Sequence, residues 1–357
     1  MIPHSRPMLD EEEILNLSNV IRSGQISRGG EVLRFEEMMA GFIGIDGAAA
    51  TNSGTSALHL ALLSLNIGDD DEVAAPSYTC TAILNAINYV NATPLLIDID
   101  PDTFNIDLND LKNRITKKTK AIIVPHMFGL PADIEDIVTL GIPVIEDCAQ
   151  AIGATYKERR VGGDGYLSIY SFYATKVIAT GEGGMILSDS KRVLEKVRNL
   201  REYDEKDIYS PCFNYKMTDI QAALGISQLN KLPLFIEKRR GIADRYTQSF
   251  KDIPITLPGR YSDRRHIFYR FVIKTSGNTD EYLGLLKSNG VSCQRPVYLP
   301  LNNYLKLDGF PGTYEVWNKA ISIPIYPGLS DDEIKMIIDV VRDVFTRWKA
   351  RLGEYVK

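Results

Sequence analysis

Four cysteines in 357 residues, with no CxxC pair among them, leave little from which to build a disulfide framework or a cysteine zinc site. Cys80, Cys148, Cys212 and Cys293 lie far apart, and His4, His59, His126 and His266 are equally scattered. No metal centre is expected. No apolar run approaches the roughly 20 residues that span a bilayer. The opening MIPHSRPMLDEEE is polar and lacks a signal-peptide core, so a cytoplasmic protein with no membrane partner is expected. Excess positive charge is missing as well: 41 basic against 46 acidic residues give a net charge of −5, which offers no footprint for nucleic acid. Internal repeats and low-complexity segments are also absent from the sequence.

What remains is an ordinary folded composition, 44% hydrophobic and 24% charged, over a length that suits two domains. Leu9 to Ile21 predicts an amphipathic helix, acidic in its first turn and followed by Gly24; Glu31 to Ile43 predicts a second. From Ala48 the pattern becomes strand, helix, strand. Short apolar runs at Ala48–Thr51, Glu72–Ala75, Pro94–Ile99, Ala121–Val124 and Pro143–Ile145 alternate with helical stretches. That alternation predicts an α/β fold with a mainly parallel sheet covered by helices on both faces. Ligands on such sheets lie beyond the carboxyl ends of the strands. Thr218-Asp219 opens a long helical region whose charged part, Leu229 to Phe250, is expected to bridge two domains. A smaller unit follows: strand Phe268–Lys274, helix Asp280–Asn289, extended segments Val291–Tyr298 and Ala320–Tyr326, and a terminal helix from about Ser330 to Arg351.

Three places on this frame carry chemistry. Asn52-Ser53-Gly54-Thr55-Ser56 links a strand to a helix, and hydroxyls with glycine at a helix N-terminus form an anion site. The turn has no lysine, so it is not a Walker A loop; a plain Ser/Thr helix cap is the alternative. Asp147 closes the apolar run Ile142–Ile145, where a carboxylate needs a cation or several donors, although its neighbour Glu146 could equally be the solvated one of the two. His126 reads as a hydrogen-bonded structural histidine. Lys176 lies between the strand Tyr166–Tyr173 and the apolar run Gly184–Asp189, followed by Thr180-Gly181-Glu182-Gly183-Gly184. Alone it would read as a surface lysine on a glycine-rich hairpin; among apolar neighbours its amine becomes a nucleophile. A phosphate turn, a strand-end carboxylate and an embedded lysine, in that order on an α/β sheet, fit pyridoxal 5′-phosphate (PLP). The expected division is a large PLP-binding domain over 1–235 and a small C-terminal domain over 236–357.

The segments TNSGTSALHLAL, PSYTCTAILNAI, IIVPHMFG, VIEDCAQAIGATY, SFYATKVIATGEGGM, NYKMTDIQAALG and IPIYPGLSDDEI resemble the DegT-type sugar aminotransferases, fold type I PLP enzymes, along nearly the whole chain. The resemblance implies that Lys176 carries the cofactor and shuttles protons, and that Asp147 keeps the pyridine nitrogen protonated. It implies that Gln150 faces the phenolic oxygen, and that Gly54, Thr55, Ser56 and Ser171 hold the phosphate. An asparagine matching Asn214 reaches the neighbouring subunit's phosphate in the family, which implies a homodimer with shared sites. Three positions depart from the pattern. Cys80 stands where an aromatic ring covers the cofactor, Lys216 replaces the arginine of NYRM, and the HYP-type substrate histidine is missing. Instead Gln294-Arg295-Pro296-Val297-Tyr298 is similar to the RPFFYP motif of perosamine-synthase-like members, which makes Arg295 and Tyr298 the candidate acceptor residues. The expected reaction takes an amine from L-glutamate to a nucleotide-linked keto sugar, of the 4-keto-6-deoxy class. A PLP dehydratase is the nearest alternative, but that branch replaces the lysine by histidine. A cyclic polyol ketone as acceptor and a non-enzymatic PLP-binding regulator complete the alternatives.

Overall fold

The structure, a computed structural model, describes residues 1–204 and 206–355, with side chains as far as residue 346. Two helices lead in, α1 (Glu11–Ser23) and α2 (Gly30–Ile43). Asp10 and Glu13 form a capping box that satisfies the first N–H groups of α1, and Gly24 ends it at φ 75°. Alternating elements then follow: β1 (Ala48–Thr51), α3 (Gly54–Ser64), β2 (Glu72–Pro76), α4 (Thr81–Tyr89), β3 (Thr93–Ile97), α5 (Leu108–Arg114), β4 (Thr119–Pro125), α6 (Ile134–Val138) and β5 (Val144–Asp147). A small hairpin, β6 (Thr155–Tyr156) and β7 (Arg159–Arg160), precedes β8 (Leu167–Ser171) and β9 (Gly184–Leu187).

The large sheet runs in the order β1-β9-β8-β5-β4-β2-β3. Only β9 is antiparallel to its neighbours, so the sheet is mainly parallel, as the alternation implies. Successive strand residues feed opposite faces: Ile122 and Val124 pack into one core, Ala121 and Ile123 into the other. The order places the carboxyl ends of β1, β8 and β5 near one another, and everything chemical gathers there.

After α7 (Lys191–Arg201), α8 (Asp219–Phe250) runs unbroken through Pro233. Its first part packs in the large core as far as Ile236, and its second part, from Ile242, in the small core, so one helix joins the two. The small unit contains β10 (Arg264–Arg265), β11 (Phe271–Lys274), α9 (Thr279–Ser288), α10 (Leu301–Leu305), α11 (Pro311–Lys319), β12 (Ala320–Ile323) and α12 (Asp331–Tyr355). Residues 291–298 are not the continuous strand that their composition suggests. They make single bridges, Val291 to Ile2 and Gln294 to Ser322, because Pro296 has no N–H to give a ladder. Ile2 thereby joins the small core, so the start of the chain packs with its second half.

Candidate active site

The phosphate-type turn is built by close packing. Gly184 pairs with Thr51 of β1 on one side and with Ser171 of β8 on the other. A Cβ on Gly184 would stand 2.3 Å from the Ser53 carbonyl oxygen, and one on Gly54 would stand 2.8 Å from the Ser171 Cβ. Both glycines are therefore what lets the turn lie against the strand ends. Ser53 caps α3 by accepting the Ser56 N–H (3.1 Å), while the Ser56 hydroxyl donates to Asn52 Oδ1 (2.7 Å). Ser56 is thus spent on shaping the turn. Among the described residues, the N–H groups of Gly54 and Thr55 take no recorded partner, and the Thr55 hydroxyl and the Ser171 proton are likewise available. Four donors at a helix N-terminus suit a phosphate dianion.

Glu146 and Asp147 end β5 side by side and differ in every respect that matters. Glu146 is fully buried and accepts from His126 Nε2 (3.0 Å) and from the N–H groups of Gly162 (2.8 Å), Asp164 (2.8 Å) and Gly165 (2.6 Å). Burial pushes its pKa up, but these donors outweigh burial and hold it below the ordinary value. The expectation that Glu146 could be the solvated member of the pair is corrected here: the 162–165 loop folds over it. His126 Nδ1 accepts the Ala132 N–H (3.0 Å), so the ring proton is on Nε2, facing Glu146. Although Cys148 joins these two within 4.8 Å, the carboxylate and the imidazole already have their partners, and burial keeps the thiol protonated, so the cluster is a structural network. Asp147, by contrast, accepts one N–H, from Ala149 (3.0 Å), and is 8% exposed. Burial raises its pKa, opposed by that bond and by the positive charge of Lys176.

Lys176 lies on a loop closed by backbone bonds at its base. Phe172 N–H donates to Gly183 O (2.8 Å), Thr180 N–H to Phe172 O (2.8 Å), and Ala174 N–H to Gly181 O (3.0 Å). The lysine is half-buried, and its Nζ stands 5.4 Å from the centre of the Tyr269 ring. Gln150 Oε1 accepts the Phe128 N–H (3.0 Å), which leaves its NH2 as a donor. Cys80, at the start of α4, is close enough to feel both Lys176 and Asp147. Its surface is open, yet the protein packed around the thiol raises its pKa against the pull of the lysine. Lys176, Asp147, Cys80 and Tyr269 thus meet at one place.

The remaining candidates lie differently. The Asn214 carbonyl accepts the amide of Asn52 (3.2 Å), next to the turn, while its own side chain is on an exposed residue. Arg295 is engaged inside the small unit: its guanidinium donates to Asp280 Oδ1 (2.9 Å) and to the Trp317 carbonyl, and covers the Trp317 ring at 5.1 Å. Arg295 is thus held in a salt bridge within the small unit, and Trp317 in turn donates to the Tyr298 carbonyl (3.2 Å). Tyr298 itself is 84% exposed. Tyr269 is a site residue that sequence reasoning passed over. Its only signal is an aromatic next to Arg270 at the entrance of a strand, 94 positions beyond Thr175.

A four-donor cradle, a buried carboxylate short of partners and a lysine amine on a tied loop define a PLP enzyme of the α/β type. Comparison with known proteins makes the class particular: the chain belongs to the DegT/DnrJ/EryC1/StrS aminotransferase family, whose model matches residues 7–342. It is 35% identical to the spore coat polysaccharide biosynthesis protein SpsC of Bacillus subtilis, over 96% of this chain and 97% of that one. It is 32% identical to the GDP-perosamine synthase of Vibrio cholerae, over 97% and 99% of the two chains. The Streptococcus pneumoniae aminotransferase Spr1654, solved in a PLP form, superposes with a TM-score of 0.91 at 28% identity, covering 97% of this chain and 99% of that one. The protein is therefore a PLP-dependent sugar aminotransferase. Among the described residues, no helix is long and apolar enough to cross a membrane.

Proposed function

We propose that the enzyme transfers an amine from L-glutamate to a nucleotide-linked keto sugar of the 4-keto-6-deoxy class. The observation that carries this reading is the under-partnered Asp147, at the end of its strand, lying within the electrostatic reach of Lys176. For the acceptor, support comes from the Gln294–Tyr298 segment and from similarity to GDP-perosamine synthases.

PLP, when bound, supplies the electron sink and carries the amine between the two half-reactions. The chain's own residues do the rest. Gly54, Thr55 and Ser171 offer N–H and O–H donors to the phosphate, and Ser56 braces their turn. Asp147 would keep the pyridine nitrogen protonated by its charge, and Gln150 would offer its NH2 to the phenolic oxygen. Lys176 would hold the cofactor, and its Nζ would serve as the general base and then the general acid that moves a proton at the substrate carbon. Arg295 fixes the segment that presents Tyr298 to the acceptor. Asn214, from an exposed loop, completes the phosphate site of a second copy in a homodimer with shared sites. Co-refolding Lys176→Ala with Asn214→Ala chains should then yield mixed dimers more active per intact site than Asn214→Ala homodimers; equal activity would remove the sharing.

The experiment for the reaction is a screen. The PLP-loaded enzyme, L-glutamate and several keto sugar nucleotides are incubated, and products are followed by mass spectrometry. Glutamate-dependent conversion of a 4-keto-6-deoxy sugar nucleotide to the amino sugar is the expected result. Amination confined to cyclic polyol ketones would overturn the acceptor assignment.

A further inference from the structure

We infer that Tyr269 is a positioning residue for Lys176: the phenol and the amine form a coupled pair that holds the lysine over the site when it is not bound to cofactor. The geometry carries the argument. The lysine Nζ lies over the Tyr269 ring, 5.4 Å from its centre, where the negative face of the ring attracts a cation. The ring cannot swing away, because it is 7% exposed and the peptides on both sides of it are tied. Arg239 donates to the carbonyls of Phe268 and Tyr269 (3.2 Å each), and the Arg270 N–H donates to Phe128 O (3.3 Å). A Cβ on Gly129 would stand 3.0 Å from the Tyr269 nitrogen and 3.2 Å from the Gln150 carbonyl, so that glycine lets the tyrosine segment close on the site wall. At the ring's far end the hydroxyl lies 3.5 Å from Thr175 Oγ1, one residue from the lysine. Tyr269 therefore touches the lysine loop twice, by its face and by its hydroxyl.

The charges around the phenol point the same way. Burial alone would raise its pKa, but Lys176, then Arg270, the Thr175 hydroxyl and Arg239 bring it down to about 8. His4, which shares the Arg270 guanidinium at 3.2 Å, is driven down to about 3 by burial and by Arg270, so it is neutral where the phenol titrates. Asp147 and Cys80 are the other titratable groups that feel the lysine's charge. A phenol ionising near neutrality beside an ammonium leaves the lysine with an anionic partner above that pH and an aromatic one below it. The only transfer involved is a proton, lost from the phenol oxygen to water.

This inference rests on Lys176 being the reactive amine, and its first test needs no cofactor, so the two can fail separately. Cofactor-free enzyme is titrated from pH 6 to 11 while tyrosinate absorbance is recorded. One phenol is expected to ionise near 8 in the wild type and to be missing in Tyr269→Phe. Lys176→Met should return it to or above the ordinary value of about 10, whereas Lys176→Arg, which keeps the charge, should leave it low. A phenol that stays near 8 in Lys176→Met, or a wild type in which no tyrosine titrates below about 10, would overturn the pairing. Tyr269→Phe keeps the ring face, so a second readout is the rate at which cofactor-free enzyme takes up PLP above pH 8. A severalfold slower uptake than wild type supports the pair; an unchanged rate counts against it.

Discussion

Glu146 and Asp147 are adjacent acids on one strand, both buried, yet one has a full shell of donors and the other a single N–H. Glu146 points to the face closed by the 162–165 loop and collects four donors. Asp147 has one. A buried carboxylate with a full shell stays charged at no further need, whereas one with a single N–H is held above its ordinary pKa until a cation arrives. In the mechanism proposed above, that difference would specify a cofactor's protonated ring without any feature special to aspartate: the donors its neighbour collects are withheld from it. The two acids also respond oppositely to pH. The lowered folded pKa of Glu146 gives stability that is present above its unfolded value and lost as pH falls through the folded one. The raised pKa of Asp147 in the cofactor-free protein gives stability present in acid and lost as pH rises through the folded value.

The comparison can be broken most forcefully at Glu146. Glu146→Gln turns an acceptor toward four donors into an amide, and the expected loss of stability at pH 7 is about 3–5 kcal/mol, read from urea midpoints. The gap to wild type should narrow as pH falls below 4. A variant as stable as wild type would mean that the shell around Glu146 is dispensable. At Asp147 the effect should fall on turnover. Asp147→Asn is expected to retain PLP but to lose about 2–4 kcal/mol of transition-state stabilisation in the glutamate half-reaction, measured by stopped-flow single turnover. In the cofactor-free protein the same change should leave the urea midpoint at pH 7 unchanged or higher. Near-normal single-turnover rates would place the ring's partner elsewhere.

Gly184→Ala sharpens the account at the phosphate turn. The added Cβ meets the Ser53 carbonyl at 2.3 Å, so about 1–3 kcal/mol of strain is expected, with faster PLP loss on dialysis. Retention equal to wild type would show that the turn yields. Arg295→Ala should have the smallest effect, within about 1 kcal/mol of stability because its salt-bridge partner Asp280 is largely exposed. The glutamate half-reaction should persist while the keto-sugar half-reaction weakens. A fall in the glutamate half-reaction instead would assign Arg295 to the donor.

Much of this was legible in the chain. The strand Ala48–Thr51 has the bounds its apolar run gives it, and the order of turn, carboxylate and lysine pointed to the strand ends, where the structure brings those residues. Local chemistry was enough there, because glycine and hydroxyl residues act where they stand. The division of labour between Glu146 and Asp147 was not legible, since the donors to Glu146 come from residues 162–165, which sequence alone cannot aim. Tyr269 was hidden for the same reason: only the crossing between the two cores brings it onto the lysine loop. The helices Leu301–Leu305 and Pro311–Lys319 escaped notice because short elements flanked by Pro300 and Pro311 carry little periodicity. The acceptor role expected for Arg295 met a long-range fact too, its engagement by Asp280 and Trp317.

The central claim is that the Lys176 amine, whose charge Asp147 feels, is the one that holds the cofactor. Reducing the PLP-loaded enzyme with borohydride and mapping its peptides tests this directly. The account predicts a single pyridoxyl label, on Lys176, with none recovered from Lys176→Ala. A label on any other lysine, or PLP retained and reducible in Lys176→Ala, would contradict it.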